Sequence, residues 1–207
     1  MIEKSLIRKL ILRRRDTISA QDKKAKDIEI RNRLLTLKEF KSAKKVMFYA
    51  SFRSEPETLT IIEEAIGLGK LIALPKVDMK EHRLDVYEIW SVDELASGCM
   101  NIPEPGVSES RRVTLHELGH FDLIITPGAA FDASGGRLGY GGGFYDRLLS
   151  SMKNRPLLVA LAYVEQLVDS IPMQPHDIRI DKIITDVGII DAKNHIAIPL
   201  IKAVTTV

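Results

Sequence analysis

One stretch decides the fold of this 207-residue chain: Gly135-Gly-Arg-Leu-Gly-Tyr-Gly-Gly-Gly-Phe-Tyr-Asp-Arg147. Four of the five residues from Gly139 to Gly143 are glycine, which lets the backbone approach a ligand closely. An apolar segment, Phe121–Thr126, predicts a strand before the loop, and Phe144–Met152 predicts a helix after it. This order is typical of phosphate binding by backbone N–H groups and a helix N-terminus. Arginines at both ends could neutralise phosphate, and Asp146 could hold Mg²⁺.

The glycine loop matches neither of the two best-known phosphate loops. A dinucleotide-binding G-x-G-x-x-G pattern fails because Phe144 and Asp146 stand where the pattern needs glycine. A P-loop fails because no Lys-Ser or Lys-Thr follows. The alternative is a mobile glycine-rich surface loop. Since such a loop has little use for Arg, Tyr and Asp at its ends, we favour a ligand-binding loop.

Composition places the chain among globular proteins and shows an uneven charge. The net charge is only +2, yet residues 1–45 hold 15 of the 30 Lys and Arg and 6 of the 28 Asp and Glu. A basic segment on a mildly acidic body suggests an anionic partner near the N-terminus. No apolar run approaches the roughly 18–20 residues of a membrane span. The single Cys99 and the charged N-terminus favour a cytoplasmic protein without a signal peptide.

Helical spacing of apolar residues predicts a first helix over Ile2–Arg15. Lys4 and Arg8 lie four residues apart on one face of it, where two cations repel unless an anion sits between them. Ser19 predicts the N-cap of a second helix that runs to about Leu37.

The rest of the chain alternates short apolar strands with helices, which predicts a mostly parallel sheet covered by helices on both faces. The segment Arg83–Ile89 should be an antiparallel or edge strand. A helix beginning near Pro56 would carry Glu57 in its first turn, and Gln166–Ile171 predicts a short turn or helix. The buried strands are predicted at Lys45–Ser51, Leu71–Leu74, Phe121–Thr126, Leu157–Tyr163 and Lys182–Thr185, the last continuing to Ile190. Loops that bind ligands would gather at the carboxyl edge of this sheet.

A zinc-protease signature, His116-Glu-Leu-Gly-His120, also occurs. It needs both histidines on one face of a stable helix. Gly119 interrupts that helix and the predicted strand begins directly after His120, so we reject zinc hydrolysis.

Several stretches together resemble the 5-formyltetrahydrofolate cyclo-ligase family, also called 5,10-methenyltetrahydrofolate synthetases. They occur in family order from residue 4 to about residue 190. The matching stretches are Lys4-x-x-x-Arg8, Glu55-Pro-Glu57-Thr58, Ile102-Pro-Glu-Pro105, Asp122-Leu-Ile-Ile-x-Pro127-Gly128-x-Ala130-Phe131-Asp132, Arg137 to Arg147 in the glycine loop, and Pro175-His-Asp177-x-x-x-Asp181.

The resemblance implies a three-layer α/β/α sandwich related to the sugar-phosphate isomerase and coenzyme A transferase group. It also implies a reaction in which ATP and Mg²⁺ convert 5-formyltetrahydrofolate to 5,10-methenyltetrahydrofolate, releasing ADP and phosphate. In that reaction the formyl oxygen is phosphorylated, and N10 of the folate then attacks the activated carbon. No side-chain nucleophile is required, which agrees with Cys99 lying outside every motif.

Residue roles follow from the same resemblance, position by position. Arg137, Tyr145 and Asp146 take the catalytic positions, and Asp146 and Asp177 take the magnesium positions. Phe52 and Glu57 match folate contacts. The nucleotide positions are Lys4, Arg8, Arg137, Leu138, Gly139, Tyr140, Gly141, Gly142, Gly143, Phe144 and Tyr145. The family's folate contacts also include Tyr140, Gly141, Gly142, Gly143 and Phe144.

We expect one domain over residues 1–207, with basic helices over 1–40 and a tail over 191–207 of unknown role. A small-molecule substrate is expected, without nucleic-acid or membrane partners, and a monomer is favoured. Two alternatives stay open at this point. One is a nucleic-acid-binding module that uses the basic N-terminus, and the other is a sugar-phosphate isomerase or acyl transferase of related fold.

Overall fold

The computed structural model describes residues 3–193, and the predicted tail beyond Lys193 lies outside the described residues. The helices are α1 (Lys4–Asp16), α2 (Ala20–Thr36), α3 (Lys38–Ser42), α4 (Leu59–Gly67), α5 (Leu115–Leu118) and α6 (Phe144–Ser150). The strands are β1 (Lys45–Met47), β2 (Leu71–Asp78), β3 (Arg83–Ile89), β4 (Leu95–Ser97), β5 (Pro103–Pro105), β6 (Arg112–Val113), β7 (Leu123–Thr126), β8 (Ala130–Asp132), β9 (Arg137–Leu138), β10 (Leu157–Ala162), β11 (Leu167–Val168), β12 (Lys182–Thr185) and β13 (Ile189–Asp191).

An eight-stranded sheet forms the centre of the protein, in the order β13-β12-β10-β7-β1-β2-β3-β6. The five strands from β12 to β2 are parallel to one another. Antiparallel strands flank them on both sides, with β13 at one edge and β3 and β6 at the other. The mostly parallel α/β sheet predicted from the sequence is therefore confirmed, as is the antiparallel pairing of Arg83–Ile89.

Alternate residues of the central strands face two separate apolar clusters. In and after β1, Val46 and Phe48 pack into a cluster with α2, α3 and α4, whereas Met47 packs into a cluster with α5 and α6. All three side chains are fully buried. Because successive side chains of a strand point to opposite faces, the two clusters define the two helical layers around the sheet.

A third, smaller apolar cluster attaches α1 to the rest of the protein. Ile11 of α1 is buried against Ala130, Leu138 and Ile171, with Ile7 packed beside it. Ala130 and Leu138 belong to the small sheet β11-β8-β9, and the glycines from Gly139 to Gly143 follow directly after its strand β9. Hydrophobic packing therefore sets α1 next to the start of the glycine loop.

The second helix begins as predicted, because the Ser19 hydroxyl caps it by accepting a hydrogen bond from the Asp22 amide. The helix predicted near Pro56 instead begins at Leu59. The Thr58 hydroxyl donates to the Tyr49 carbonyl and accepts from the Ser51 amide, so residues 51–58 fold back onto the end of β1. Glu57 therefore precedes the helix rather than lying within its first turn.

Several strand boundaries differ from the prediction. The strand predicted over Lys45–Ser51 ends at Met47, and the one predicted over Leu71–Leu74 extends to Asp78 as a hairpin with β3. Its Pro75 lies beyond Ala73, the last β2 residue paired to β1, so the missing N–H interrupts no parallel pairing.

Two predictions for the C-terminal part were wrong. The strand from Lys182 does not continue through Ile190, because Thr185 forms a turn with Gly188 and the chain reverses into antiparallel β13. Of the segment Gln166–Ile171, predicted as a short turn or helix, only Gln166 lies in a helical turn, the 3₁₀ turn Val164–Gln166, and Leu167–Val168 instead pairs in parallel with β8. Buried Gln166 anchors this strand by donating to the carbonyls of Gly128 and Ala129.

Buried Asp132 organises the turn that leads into the glycine loop. Its Oδ1 accepts hydrogen bonds from the amides of Ser134 at 2.9 Å and Gly136 at 2.8 Å, and its Oδ2 accepts from the Ile171 amide at 2.7 Å. Removing one carboxylate would leave three amides without their acceptor, and each unsatisfied buried group costs on the order of 1–3 kcal/mol.

We expect Asp132→Ala to lower the free energy of unfolding by about 3 kcal/mol, measured by urea denaturation, because of those lost acceptors. The matched control is Asp169→Ala, which removes an exposed carboxylate. The control should stay within about 0.5 kcal/mol of the parent protein. Equal stability of the two variants would contradict the role of Asp132 in the turn.

Candidate active site

The glycine loop lines a surface cavity of about 350 Å³. Backbone from the loop and charged side chains from α1, α6 and the segment before β12 surround the cavity. The lining residues are Lys4, Gly139, Gly141, Gly143, Asp146, Arg147, Ser150, Gln174, His176 and Asp177. Residues that are up to 173 positions apart in sequence therefore meet at one place, as the sequence predicted for Lys4, the glycine loop and both aspartates.

The two predicted magnesium carboxylates are brought together by one backbone hydrogen bond. The Ile178 amide, directly after Asp177 in the chain, donates to Asp146 Oδ1 at 3.3 Å. Each carboxylate is also paired with a cation, Asp146 with Arg137 at 2.7 Å and Asp177 with Lys4. Within residues 3–193, His, Cys, Asp and Glu side chains form no group of three or more that could hold a metal ion.

Asp177 is held in its charged form. Burial alone would raise the pKa of its carboxyl group, but hydrogen bonds from Lys4 Nζ and from the Gln174 amide outweigh that effect and lower the pKa below its usual value. The stabilisation from this pairing is therefore fully present above the usual aspartate pKa and is lost as the pH falls through the lowered pKa.

Arg137 and Tyr145 lie on either side of the glycine run and contact each other. The Arg137 side chain is almost completely buried, with its Nη2 donating to Asp146 and its guanidinium 5.7 Å from the centre of the Tyr145 ring. Among the described residues, Arg137 Nε and the Tyr145 hydroxyl are two of the four buried side-chain atoms without a hydrogen-bond partner. Burial raises the pKa of Tyr145 well above its usual value, so the phenol keeps its proton. Both donor atoms are buried, and neither residue is among those that line the cavity.

Positive backbone angles explain part of the glycine run. Gly141 has φ of +107° and Gly143 has φ of +65°, a region that favours glycine. Gly143 is also the N-cap of α6, which has only seven residues. A helix this short adds little dipole, so the side chains around the loop supply most of the charge for an anion.

Arginines hold the loop on both sides. From α1, Arg8 Nε donates to the Gly139 carbonyl at 2.8 Å, and Arg15 donates to the Tyr140 hydroxyl at 2.8 Å. From α6, Arg147 donates to the carbonyls of Gly142 at 2.7 Å and His82 at 2.8 Å. Lys4, Arg8 and Arg15 of α1 therefore face the site.

Among the predicted folate contacts, Gly141 and Gly143 line the cavity, whereas Phe52 and Glu57 do not. Glu57 Oε1 accepts hydrogen bonds from the amides of Leu59 at 2.6 Å and Thr60 at 3.2 Å, so this carboxylate caps α4. Phe52 is half-buried, with the Arg53 guanidinium 4.9 Å from the centre of its ring.

The zinc-protease signature does not form a continuous helix, as the presence of Gly119 predicted. Helix α5 ends at Leu118, and the Glu117 carboxylate forms a capping box with Thr114. The glutamate that would act as general base in a zinc site is thus used to begin the helix.

The sequence profile described as the 5-formyltetrahydrofolate cyclo-ligase family matches residues 1–186. The chain belongs to this family. Relatives named 5-formyltetrahydrofolate cyclo-ligase include a mouse protein, 29% identical with 81% of this chain and 85% of the relative covered, and an Escherichia coli K12 protein, 31% identical with 85% and 96% covered. The resemblance recognised from the motifs is confirmed, and the chain is a cyclising ligase.

Solved structures agree with the family assignment. The Aquifex aeolicus 5,10-methenyltetrahydrofolate synthetase superposes with a TM-score of 0.80 at 32% identity, covering 93% of this chain and 94% of that one. A Mycoplasma pneumoniae synthetase superposes with a TM-score of 0.72, covering 89% and 99%. At 22% identity the latter shows the shared fold.

No helix among residues 3–193 is long and apolar enough to cross a membrane.

Residues outside the predicted site also shape it. Arg15 lies eleven positions after Lys4 and seven after Arg8, so all three project from one face of α1. That periodicity could have identified Arg15 from the sequence. The Glu55 carboxylate accepts a hydrogen bond from the Tyr140 hydroxyl. Although Glu55 belongs to a family motif, nothing in the neighbouring sequence predicts this contact.

We expect Lys4→Gln to lower the free energy of unfolding at pH 7 by up to about 1 kcal/mol, because Asp177 loses its cation. As the pH falls below about 4, the difference between variant and parent should shrink, since Asp177 becomes protonated in both. Urea denaturation at a series of pH values measures this. Lys9→Gln, at an exposed position of the same helix, is the control and should show no such pH dependence. A Lys4→Gln difference that does not change with pH would contradict the pairing.

Proposed function

We propose that the enzyme converts 5-formyltetrahydrofolate to 5,10-methenyltetrahydrofolate in a reaction that consumes ATP, requires Mg²⁺ and proceeds through a phosphorylated formyl group. The formyl oxygen takes the γ-phosphoryl group and ADP leaves; N10 then attacks the formyl carbon and loses its proton, and phosphate leaves that carbon with the former formyl oxygen. One observation carries the proposal: Lys4, Asp146, Asp177 and glycine-loop backbone line a single cavity.

The donor atoms of the cavity suit a magnesium–triphosphate group. The hydrogen bonds recorded for Asp146 end on Oδ1, and those of Asp177 from Lys4 and Gln174 end on Oδ2. Asp146 Oδ2 and Asp177 Oδ1 are therefore the oxygens that we assign to Mg²⁺. Two carboxylates are sufficient, because Mg²⁺ keeps several waters and takes further oxygens from phosphates. When bound, it would neutralise charge that develops on the transferring phosphoryl group.

Cations and buried donors would receive the phosphates. We assign Lys4 and Arg8 to the triphosphate, with the backbone of residues 138–143 beside them. Arg137 Nε and the Tyr145 hydroxyl are buried donors without a partner on either side of the glycine run, and we assign an acceptor on the nucleotide or the formyl group to them. The catalytic contribution of these residues is then positioning and charge neutralisation.

The folate would lie between the glycine loop and residues 52–57. Tyr140 presents a half-exposed ring at this boundary, and Phe144 lies at the start of α6. Phe52 offers an apolar surface for the pterin. Because the shortest hydrogen bonds to Glu57 end on Oε1, we assign Oε2 to the pterin N–H donors.

We further propose a monomer located in the cytoplasm, with the single Cys99 in reduced form.

The test is an assay of the purified enzyme with 5-formyltetrahydrofolate. We expect methenyltetrahydrofolate absorbance to appear only when ATP and Mg²⁺ are both present, with one ADP formed per product. Chelation of Mg²⁺ should abolish the signal, and its re-addition should restore it. Product formation that is independent of ATP would contradict the proposal and favour an acyl-transfer or isomerase reaction.

We expect Asp146→Asn to lower kcat by at least about 100-fold, because the metal loses a charged ligand while the amide oxygen can still accept from Arg137. The Mg²⁺ concentration for half-maximal rate should rise. Asp169→Asn, which changes an exposed carboxylate, is the control. Near-parent turnover with an unchanged Mg²⁺ requirement would remove Asp146 from the metal site.

A further inference from the structure

Arg147 is a cation of the cavity wall that has no carboxylate partner. Its hydrogen bonds within residues 3–193 both end on backbone carbonyls, from Nε to His82 at 2.8 Å and from Nη2 to Gly142 at 2.7 Å. No Asp or Glu in that range forms an ion pair with it. Because a carbonyl oxygen carries no net charge, the positive charge of Arg147 is left uncompensated at the cavity.

Two other cations of the site are neutralised by the protein itself. Lys4 is paired with Asp177, and Arg137 is paired with Asp146 at 2.7 Å. These four side chains contribute equal numbers of positive and negative charges. They hold the two aspartates in place, but they add no net positive charge that would attract an anion into the cavity.

Arg8 is the counterpart of Arg147 on the other side of the glycine run. Arg8 also donates to a carbonyl of the loop and also lacks an ion pair with any carboxylate of the described chain. A side chain at Gly141 would place its first carbon 3.7 Å from Arg8 Cζ, and one at Gly143 would place it 3.0 Å from Arg147 Nη1. Each uncompensated guanidinium therefore lies against a glycine that lines the cavity.

The Arg147 guanidinium is oriented before a ligand binds. Two carbonyls fix Nε and Nη2, and Cζ lies 5.1 Å from the centre of the Phe144 ring. A guanidinium has five N–H donors, and those of Nη1 have no acceptor among the residues that the structure describes. A charged group with free donors is thus presented at the cavity in a fixed position.

We propose that Arg147 binds a phosphate group of the nucleotide through Nη1, on the side of the glycine run opposite Arg8. This inference rests on the proposed function, which places a nucleotide in the cavity. Magnesium–ATP keeps about two negative charges, and the two uncompensated arginines would balance them. A planar guanidinium also matches the geometry of phosphate oxygens. Phosphate is favoured over a folate carboxylate because Arg147 lines the same cavity as Asp146 and Asp177, which we assign to Mg²⁺.

A purely structural role for Arg147 makes a different prediction. Neutral donors would be sufficient to hold the carbonyls of His82 and Gly142, so such a role requires no positive charge. Arg147→Gln and Arg147→Lys should then be equally impaired, since each can replace at most part of the guanidinium fork. A phosphate contact requires the charge, so the lysine variant should retain more of the function than the glutamine variant.

Calorimetric titration with inorganic tripolyphosphate and Mg²⁺ tests the proposal without turnover. We expect Arg147→Gln to raise the Kd at least about tenfold, the equivalent of one charge-assisted hydrogen bond. Arg147→Lys should raise it no more than about threefold, because the charge is kept and the fork is lost. The difference between the two variants should shrink as NaCl is added. Equal increases in both variants would reduce Arg147 to a structural role and overturn the proposal.

Arg179→Gln is the matched control. Arg179 is also an exposed arginine that donates to a backbone carbonyl, that of Ser134 at 2.9 Å, and it is not among the residues that line the cavity. We expect this variant to bind magnesium tripolyphosphate with the parent Kd. A tenfold increase in the control would mean that loss of any nearby arginine weakens anion binding, and would overturn the assignment to Arg147.

Two further outcomes separate the possible ligands and the reaction. If Arg147→Gln binds magnesium tripolyphosphate normally but binds 5-formyltetrahydrofolate more weakly, the arginine contacts a carboxylate of the folate and the proposal is overturned. A parent protein that does not bind magnesium tripolyphosphate also overturns it. Weaker tripolyphosphate binding in Arg147→Gln alone supports the phosphate contact even if the parent enzyme forms no methenyltetrahydrofolate, a result that would refute only the proposed function.

Discussion

The candidate site depends on the packing of a single face of α1 against the glycine loop. Apolar packing places the helix, with Ile11 buried against Leu138 at the start of the glycine loop. Lys4, Arg8 and Arg15 then project from the same side and contact Asp177, Gly139 and Tyr140, respectively. Hydrophobic burial supplies the general attraction, and the charged contacts fix the register of the helix on the loop. A repulsive row of cations on α1 is stable because an acceptor faces each one.

The sheet explains why this site could be assembled from remote parts of the sequence. In a parallel sheet, the loops after β1 and β7 leave from the same edge, which brings Glu55 to Tyr140. Asp177 follows a different route, because it precedes β12 rather than following a strand. It reaches the site through the hydrogen bond between the Ile178 amide and Asp146. The shared carboxyl edge of the parallel strands therefore accounts for the meeting of Glu55 and Tyr140. The hydrogen bond from the Ile178 amide to Asp146 accounts for the position of Asp177.

Local patterns predicted the elements that bury apolar side chains, and failed where a single polar contact redirects the chain. The strands around Ile124 and Val159 could be predicted because every residue in them except Leu157 is buried, which gives a continuous apolar run. The reversal after Thr185 depends on its hydroxyl and on Gly188, and nothing in an apolar pattern marks it. The family motifs identified the glycine loop and both aspartates. They did not reveal the partner of Tyr140, because a contact across 85 residues leaves no periodic signal.

Glycine allows the loop to adopt backbone angles that other residues avoid, and the surrounding arginines hold the loop in one conformation. Gly141 and Gly143 adopt positive φ, which costs conformational entropy when the loop is ordered. If the ligand alone ordered the loop, that cost would be subtracted from its binding free energy. Here Arg8, Arg15 and Arg147 already hold Gly139, Tyr140 and Gly142 in the described structure, so much of the ordering is complete beforehand. The loop can thus keep the close backbone approach that glycine allows without the mobility that glycine usually brings. This division of roles explains why a glycine-rich loop with no common nucleotide fingerprint is flanked so closely by arginine.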